Sequence, residues 1–399
     1  MNSSVLFYVQ HLLGIGHLQR SLRIAEALVQ NGTAVTLVCG GPPVALPRDR
    51  SINVVQLTPV RARDARFELV DSAGKPIDDA LRDRRRAALL AAFAMARPDA
   101  VVLEGYPFAR RAFRFELEPL IAVVRAMTPR PRLLCSVRDI VVIREDPQRY
   151  RDIVERVRRD FDAVLVHGDP ALIRFDASFP AAADIADRVI YTGYVCSPSG
   201  STSGAAATGG GEVVVSAGGG AAGRALLEAA LAARRSGCLA DLPWRLITGT
   251  NLPEADFAAL KMDVPAGVVI ERFCYNFVGL LRSCRVSVSQ AGYNTVLDIL
   301  SARARAVLVP FAAERETEQL TRAERLAALG AVELVRENEL SPQSLATAIE
   351  RAAAREPATI AIDTGGAAHT ARLVAAMIRA GEHRAEGFVA GASKGIIAQ

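Results

Sequence analysis

The sequence predicts an α/β protein made of two successive parallel-sheet halves, and three observations carry this. Short apolar runs alternate with helical stretches along almost all of the 399 residues, the pattern of a parallel sheet covered by helices on both faces. The alternation is interrupted once, at residues 196–211 (CSPSGSTSGAAATGGG), where nearly every residue is small and turn-prone and no core can form. It then restarts with a fresh strand, glycine turn and helix. The length also exceeds that of one average domain.

The first half opens on a strand at 5–9, followed by His11-Leu12-Leu13-Gly14-Ile15-Gly16-His17 and a helix through Leu28 that Gly32 stops. A second strand at 34–39 returns as a right-handed crossover requires. This is the opening of a Rossmann-like half. However, Gln19 stands where a third glycine would complete GxGxxG, and no acid closes the second strand, so a dinucleotide site is not expected. Strands follow at 54–57, 100–103, 132–136, 163–166 and 189–192, with helices at 80–96, 111–127 and 148–159. After the break, strands are expected at 212–216, 244–247, 268–270, 285–288 and 306–309, with helices at 224–235, 293–300, 344–354 and 370–380 and one starting near Glu318. The domains are therefore 1–195, a linker or loop at 196–211, 212–380, and a weakly structured tail at 381–399.

A net charge of +5 with dispersed basic residues does not select nucleic acid as a partner. All but three of the 48 basic residues are arginine, the exceptions being Lys75, Lys261 and Lys394, a bias of composition rather than of site. Six cysteines without a CxxC pair or a His/Cys cluster indicate neither zinc nor a disulfide framework, and suit a reducing, cytoplasmic compartment. The start has no signal-peptide pattern and no apolar run reaches the roughly 18 residues of a membrane span. The expectation is a soluble protein that could still touch a membrane surface.

Ligands of open parallel sheets bind beyond the carboxyl ends of the strands. There the second half carries Ser216-Ala217-Gly218-Gly219-Gly220, Phe273-Cys274, Gln290-Ala291-Gly292 and an acidic run, Glu314, Glu316 and Glu318 with Gln319. The triple glycine ahead of a helix has the composition of an anion nest, and equally of a flexible turn. Gly292 lets the chain turn sharply before the 293–300 helix, with Asn294 or Thr295 as candidate cap, and the acids suit sugar or ribose hydroxyls. The first half offers Gly14, Gly16 and His17. A histidine at a helix start is held neutral by the dipole and can serve as general base; a turn residue with a satisfied ring is the other reading. Asp160-Phe161-Asp162 precedes its strand, at the wrong edge for a metal site, whereas Ser136-Val137-Arg138-Asp139 and His167-Gly168-Asp169 follow theirs. Tyr106-Pro107-Phe108 with Arg110, Arg111, Phe113 and Arg114 reads as a helix end with core aromatics, or as a contact for a membrane surface or acidic acceptor.

The run Gln290-Ala291-Gly292-Tyr293-Asn294-Thr295-Val296-Leu297-Asp298, then Pro310-Phe311 and Glu318-Gln319, resembles the donor-binding motif of GT-B glycosyltransferases. It is nearest to the MurG-like family 28 C-terminal domain. Gly14-Ile15-Gly16-His17 with Arg20-Ser21 resembles the N-terminal glycine loop of that group. The resemblance implies a GT-B fold, two Rossmann-like domains facing an interdomain cleft, the first for an unknown acceptor and the second for a nucleotide-diphosphate sugar, a UDP-sugar first. It implies that Phe273 and Cys274 cradle the nucleobase and that Asp298 binds the ribose. Ser216, Gly218, Gly219, Gly220, Asn294 and Thr295 would contact the diphosphate, and Glu318 and Gln319 the sugar. Gly14, Gly16, Gln290 and Gly292 would shape the donor site, and His17 would be the base. Transfer of a hexosyl or N-acetylhexosaminyl group would invert the anomeric centre, without metal or cofactor, the departing diphosphate being stabilised by helix N-termini. Two positions depart from the motif: Gln290 stands where histidine is frequent, and Asp298 is one methylene shorter than the usual glutamate. GIGHLQRS is also similar to nucleotide-sugar hydrolases of the PseG type, in which His17 would activate water. A non-catalytic nucleotide-sugar-binding subunit of a bipartite transferase is the third alternative.

Overall fold

A computed structural model describes residues 3–12, 15–44, 51–63, 68–141, 146–196, 211–218, 223–311, 317–357 and 360–393, with side chains as far as Gly381. The chain forms two compact units, Met1–Val195 with Asp363–Gln399, and Cys196–Ile362. Most of the expected linker, 197–210, lies outside the described residues.

In the first unit the strands are β1 (Ser4–Val9), β2 (Ala34–Cys39), β3 (Ile52–Gln56), a small β4–β5 ribbon (Arg61–Ala62 and Leu69–Val70), β6 (Ala100–Glu104), β7 (Arg132–Arg138), β8 (Ala163–His167) and β9 (Val189–Tyr191). The helices are α1 (Gly16–Gln30), α2 (Asp79–Ala96), α3 (Arg114–Ala126) and α4 (Pro147–Asp160). Seven strands pair in parallel in the order β3-β2-β1-β6-β7-β8-β9, so the order reverses between β1 and β6. Such a reversal opens a crevice at the carboxyl ends of the strands, and α1 begins there. Side chains alternate faces along a strand. Val5, Phe7 and Val9 therefore pack with Leu18, Ile24 and Leu28 of α1, while Leu6 and Tyr8 join Leu81, Leu89 and Phe93 of α2 and Leu117 and Leu120 of α3. Asp78 and Asp146 cap α2 and α4 by accepting from first-turn amides. Between α2 and α3 lies a fully buried pair, Arg85 and Glu116 at 2.7 Å. It is completed by Tyr8 Oη donating to Glu116 and by Arg85 donating to Gln10 and to the Gly40 and Thr58 carbonyls.

In the second unit the elements are β10 (Val213–Ser216), α5 (Arg224–Arg235), β11 (Trp244–Ile247), α6 (Glu254–Lys261), β12 (Val268–Glu271), α7 (Phe277–Ser283), β13 (Val286–Ser289), α8 (Tyr293–Ala302), β14 (Ala306–Leu308), α9 (Glu318–Ala328), β15 (Glu333–Leu334) and α10 (Pro342–Ala354). Six parallel strands run in the order β12-β11-β10-β13-β14-β15, and the reversal falls between β10 and β13. Val213, Val215, Val286 and Val288 meet Leu226 and Leu227 of α5 and Leu345 and Ile349 of α10 in its core. The short α6 and α7 were not foreseen, since eight and seven residues make only about two turns, fewer than the window over which helical periodicity can be read.

The last helix, α11 (Gly366–Ser393), differs from the sequence reading. The 212–380 half was expected to keep it, but it belongs to the first unit, where Ala371, Val374 and Ile378 are buried with α1 residues against the sheet. Its periodicity announces an apolar stripe without saying which sheet will cover it. The helix also continues past residue 381, where weak structure was expected. The chain re-enters the first unit through paired backbone: Val195 bridges Gly365, Tyr194 N donates to Asp363 O at 2.7 Å, and Gly366 N donates to Tyr194 O at 3.1 Å.

Candidate active site

In the first unit, chemistry concentrates where β1 and β6 part. His17 is the second residue of α1, and Glu104 is the last of β6. His17 Nδ1 lies 2.6 Å from Glu104 Oε1. Glu104 is 1% exposed and is also held by Arg20 at 2.7 Å and, on its other oxygen, by Arg110 at 3.1 Å. Burial pushes this carboxyl up, but His17, Arg110 and Arg20 outweigh it and hold the carboxyl well below the usual range. An ionised Glu104 makes Nδ1 the protonated nitrogen. Nε2 then carries the lone pair and accepts from Arg138 Nη2 at 3.2 Å, Arg138 being the last residue of β7.

The imidazole is pushed down to about 3, chiefly by burial, with the Arg138 and Arg110 guanidiniums acting in the same sense and Glu104 against them. The direction matches the sequence expectation, with burial as the largest cause and neighbouring cations acting beside it. Ile15 occupies the cap position of α1, and no side chain caps it. Gly16 opens the helix, whereas Gly14 lies outside the described residues.

Glu104 was not foreseen. Its signal was present, an acid ending an otherwise apolar strand (AVVLE) beside Gly105, but its partner is 87 residues away. Neighbouring strand ends are also occupied: Ser136 Oγ lies 2.7 Å from His167 Nε2, Thr192 Oγ1 lies 2.8 Å from His167 Nδ1, and Tyr194 donates to Asp139. Asp160 and Asp162 lie at the opposite edge, engaged by Arg125 and Arg159 and by Arg130 and Arg132. Tyr106, Phe108 and Phe113 are all buried, so this segment belongs to the core and offers no aromatic surface.

In the second unit, the ends of β10 and β13 bring together Ser216, Gly218 and Gln290. Ser216 Oγ accepts from Gly218 N at 3.4 Å, and Gly218 takes φ +66°, open to glycine. Gln290 Oε1 lies 3.8 Å from where a Cβ on Gly218 would stand. Gly219 and Gly220 lie outside the described residues, as do Glu314 and Glu316.

The expected side-chain cap on α8 is corrected: Gly292 occupies the cap position, and neither Asn294 nor Thr295 bonds back. Asn294 Oδ1 and the β13 hydroxyl Ser289 Oγ are buried without a hydrogen-bond partner among the described residues. A helix start without a side-chain cap has amide donors and partial positive charge to offer an anion.

Glu318 and Gln319 stand at the start of α9 and face inward to the protein. Gln319 Oε1 accepts from Ala291 N at 3.0 Å and from Phe311 N at 3.1 Å, tying the turn after β13 to the turn after β14. Glu318 pairs with Arg322 at 3.0 Å, and Arg322 donates to Ala291 O and lies over the Tyr293 ring. Phe273 and Cys274 follow β12, two strands away from β10. Phe273 is 56% exposed and forms an edge-on pair at 5.0 Å with Tyr275, an exposed aromatic that the motif reading passed over. Asp298 is half-buried on α8.

Residues 213–375 match the Glycosyltransferase family 28 C-terminal domain. Over 118 residues the chain is 34% identical to the UDP-N-acetylglucosamine--N-acetylmuramyl-(pentapeptide) pyrophosphoryl-undecaprenol N-acetylglucosamine transferase of Brucella anthropi, a match spanning 28% of this chain and 31% of that one. Among solved structures, the glycotransferase of kitacinnamycin aligns with TM-score 0.61 at 17% identity, over 96% of this chain and 99% of its own. Acinetobacter baumannii MurG aligns with TM-score 0.55 at 17% identity, over 93% and 99%. UGT71G1 of Medicago truncatula, complexed with UDP-glucose, aligns with TM-score 0.60 at 14% identity, over 94% and 98%. The fold is thus that of the GT-B glycosyltransferases.

Proposed function

We propose that this GT-B chain, whose second half carries a family 28 C-terminal domain, is a glycosyltransferase that moves a hexosyl or N-acetylhexosaminyl group from a nucleotide-diphosphate donor to a hydroxyl acceptor. A UDP-sugar is the first donor to test, in keeping with the names of the Brucella anthropi relative and the UGT71G1 complex. The observation that carries the reading is the His17–Glu104 pair: a buried carboxylate 2.6 Å from Nδ1 fixes the tautomer and leaves the lone pair on Nε2. Nε2 takes the proton of the acceptor hydroxyl as that oxygen bonds to the anomeric carbon. The bond from that carbon to the diphosphate oxygen breaks, and its electron pair leaves with the nucleotide. Attack opposite the leaving group inverts the centre, and Glu104 stabilises the imidazolium that forms. The amides at the start of α8 and in the Ser216–Gly218 turn are suited to meet the charge of the diphosphate, with Phe273, Cys274 and Asp298 as nucleoside contacts. Gln319 and Glu318 would act on the sugar through the turns they hold. A reducing cytoplasm is the compartment proposed, from six cysteines without a CxxC pair or His/Cys cluster in the sequence.

The test begins with a thermal-shift screen of nucleotide diphosphates and their sugars, a ligand at 100 times its Kd adding about 2.7 kcal/mol. With the donor so found, His17→Ala should lower kcat by about 10²–10⁴-fold while nucleotide affinity stays within about twofold. Added chelator should leave the rate unchanged. Unchanged turnover in His17→Ala removes His17 from the mechanism. Sugar released equally without acceptor selects the hydrolase, and tight binding with neither reaction selects a binding subunit.

A further inference from the structure

We propose that Arg138 masks the base: its guanidinium holds the lone pair of His17 Nε2 until an acceptor, bound through its remaining groups, displaces it, so that water is kept from the donor sugar. This rests on the reading of His17 as base. The Arg138 Nη2 to His17 Nε2 distance is 3.2 Å, so the place that a hydroxyl must take to surrender its proton is occupied. The charged groups around the ring come from four elements: Arg20 from α1, Glu104 from the end of β6, Arg110 from the segment after it, and Arg138 from β7. Glu104 Oε1 is engaged by His17 and Arg20 and Oε2 by Arg110, while Arg138 donates to the ring nitrogen.

The mask discriminates because of what each nucleophile brings. Separating Arg138 from Nε2 loses a charge-assisted contact, and water has no other group whose binding offsets that loss. An acceptor has the rest of its structure, and contacts remote from the reacting oxygen can drive the displacement. Once the hydroxyl is in place its proton passes to Nε2, its oxygen bonds to the anomeric carbon, and the diphosphate leaves with the electron pair. Arg138 enters none of these bonds and is a positioning residue. A hydrogen bond to a charged group is of a size that gives a discrimination of about ten-fold or more.

The experiment compares the full chain with R138Q and R138K by diethylpyrocarbonate labelling, read at each histidine by peptide mass spectrometry. His17 should label at least about ten-fold faster in R138Q, and R138K, which keeps the charge but loses the planar fork, should fall between. His11 and His167 are buried and report folding: faster labelling there marks a misfolded variant, and R138K then decides. In parallel, UDP release from UDP-N-acetylglucosamine without acceptor should rise about ten-fold in R138Q. Equal His17 labelling in wild type and both variants overturns the mask. Faster labelling with unchanged UDP release, where wild type does turn over, overturns its role against water. If no protein releases UDP, the rise expected in R138Q is absent and the role against water is overturned; the labelling still decides whether Arg138 covers Nε2, and the acceptor-dependent assay of His17→Ala judges the transferase reading separately.

Discussion

At the scale of single residues, three histidines of the first unit share one property: burial lowers His11, His17 and His167 below the ordinary imidazole value. Each takes up a proton near pH 6.5 when the chain is unfolded and resists it when folded. The unfolded state therefore binds more protons below that pH, and stability rises with pH through this range. The contribution is complete above about pH 6.5 and is lost as pH falls towards the folded value. Urea melts between pH 7.5 and 5 should show stability falling by up to about 1.4 kcal/mol per pH unit per histidine, less for His17, whose side chain is 30% exposed. His17→Gln should flatten that slope without abolishing it; a slope identical to wild type would mean that His17 titrates alike in both states. Glu104, held low in the fold, adds its own acid loss only as pH falls below the ordinary carboxylate range.

His17 was legible in the sequence because glycines and a helix start mark it locally. Glu104 was not, and Arg138 was legible only as one of four residues at a strand end, because what makes them a site is the pairing of β1 with β6 and of β6 with β7, a fact of topology rather than of neighbouring letters.

Among the elements, the starts of α8 and α9 show how a motif can be read correctly as a place and incompletely as chemistry. The spacing located a turn, a helix and a second helix. It did not reveal that Gln319 offers its oxygen to two backbone amides, since that depends on two turns meeting in space; the pairing of Glu318 with Arg322, four residues on along one helix, is a local spacing that the motif reading passed over. Gln319→Leu leaves the Ala291 and Phe311 N–H groups without their acceptor and should cost about 1–3 kcal/mol in denaturant melts. Gln319→Glu keeps an oxygen in place and should retain most of that stability. If Leu is as stable as Glu here, Gln319 is no clamp, and direct contact with the sugar becomes its leading role.

On the scale of the whole molecule, the two Rossmann-like sheets and the break near residue 196 were legible because strand and helix periods are written locally. The home of α11 was not, for its stripe of Ala371, Val374 and Ile378 would suit either sheet. Ending the chain after Ile362 should expose the α1 face of the first unit, each buried aliphatic side chain being worth about 1.5–3 kcal/mol. Hydrogen exchange should then lose protection in α1 and β1 while β10 and β13 keep theirs. Equal loss in both units would show that α11 supports more than the unit it packs on.

The backbone pairing at Tyr194, Val195, Asp363 and Gly365 carries a consequence for how the protein is made. It turns residues 196–362 into an insertion whose two ends meet the host side by side. On a ribosome α11 is the last part of the host to emerge, so the first unit, whose strands all lie before residue 195, is completed only after the guest. The second unit has all of its strands before that moment, so it is expected to acquire its structure before the half that carries His17 is complete.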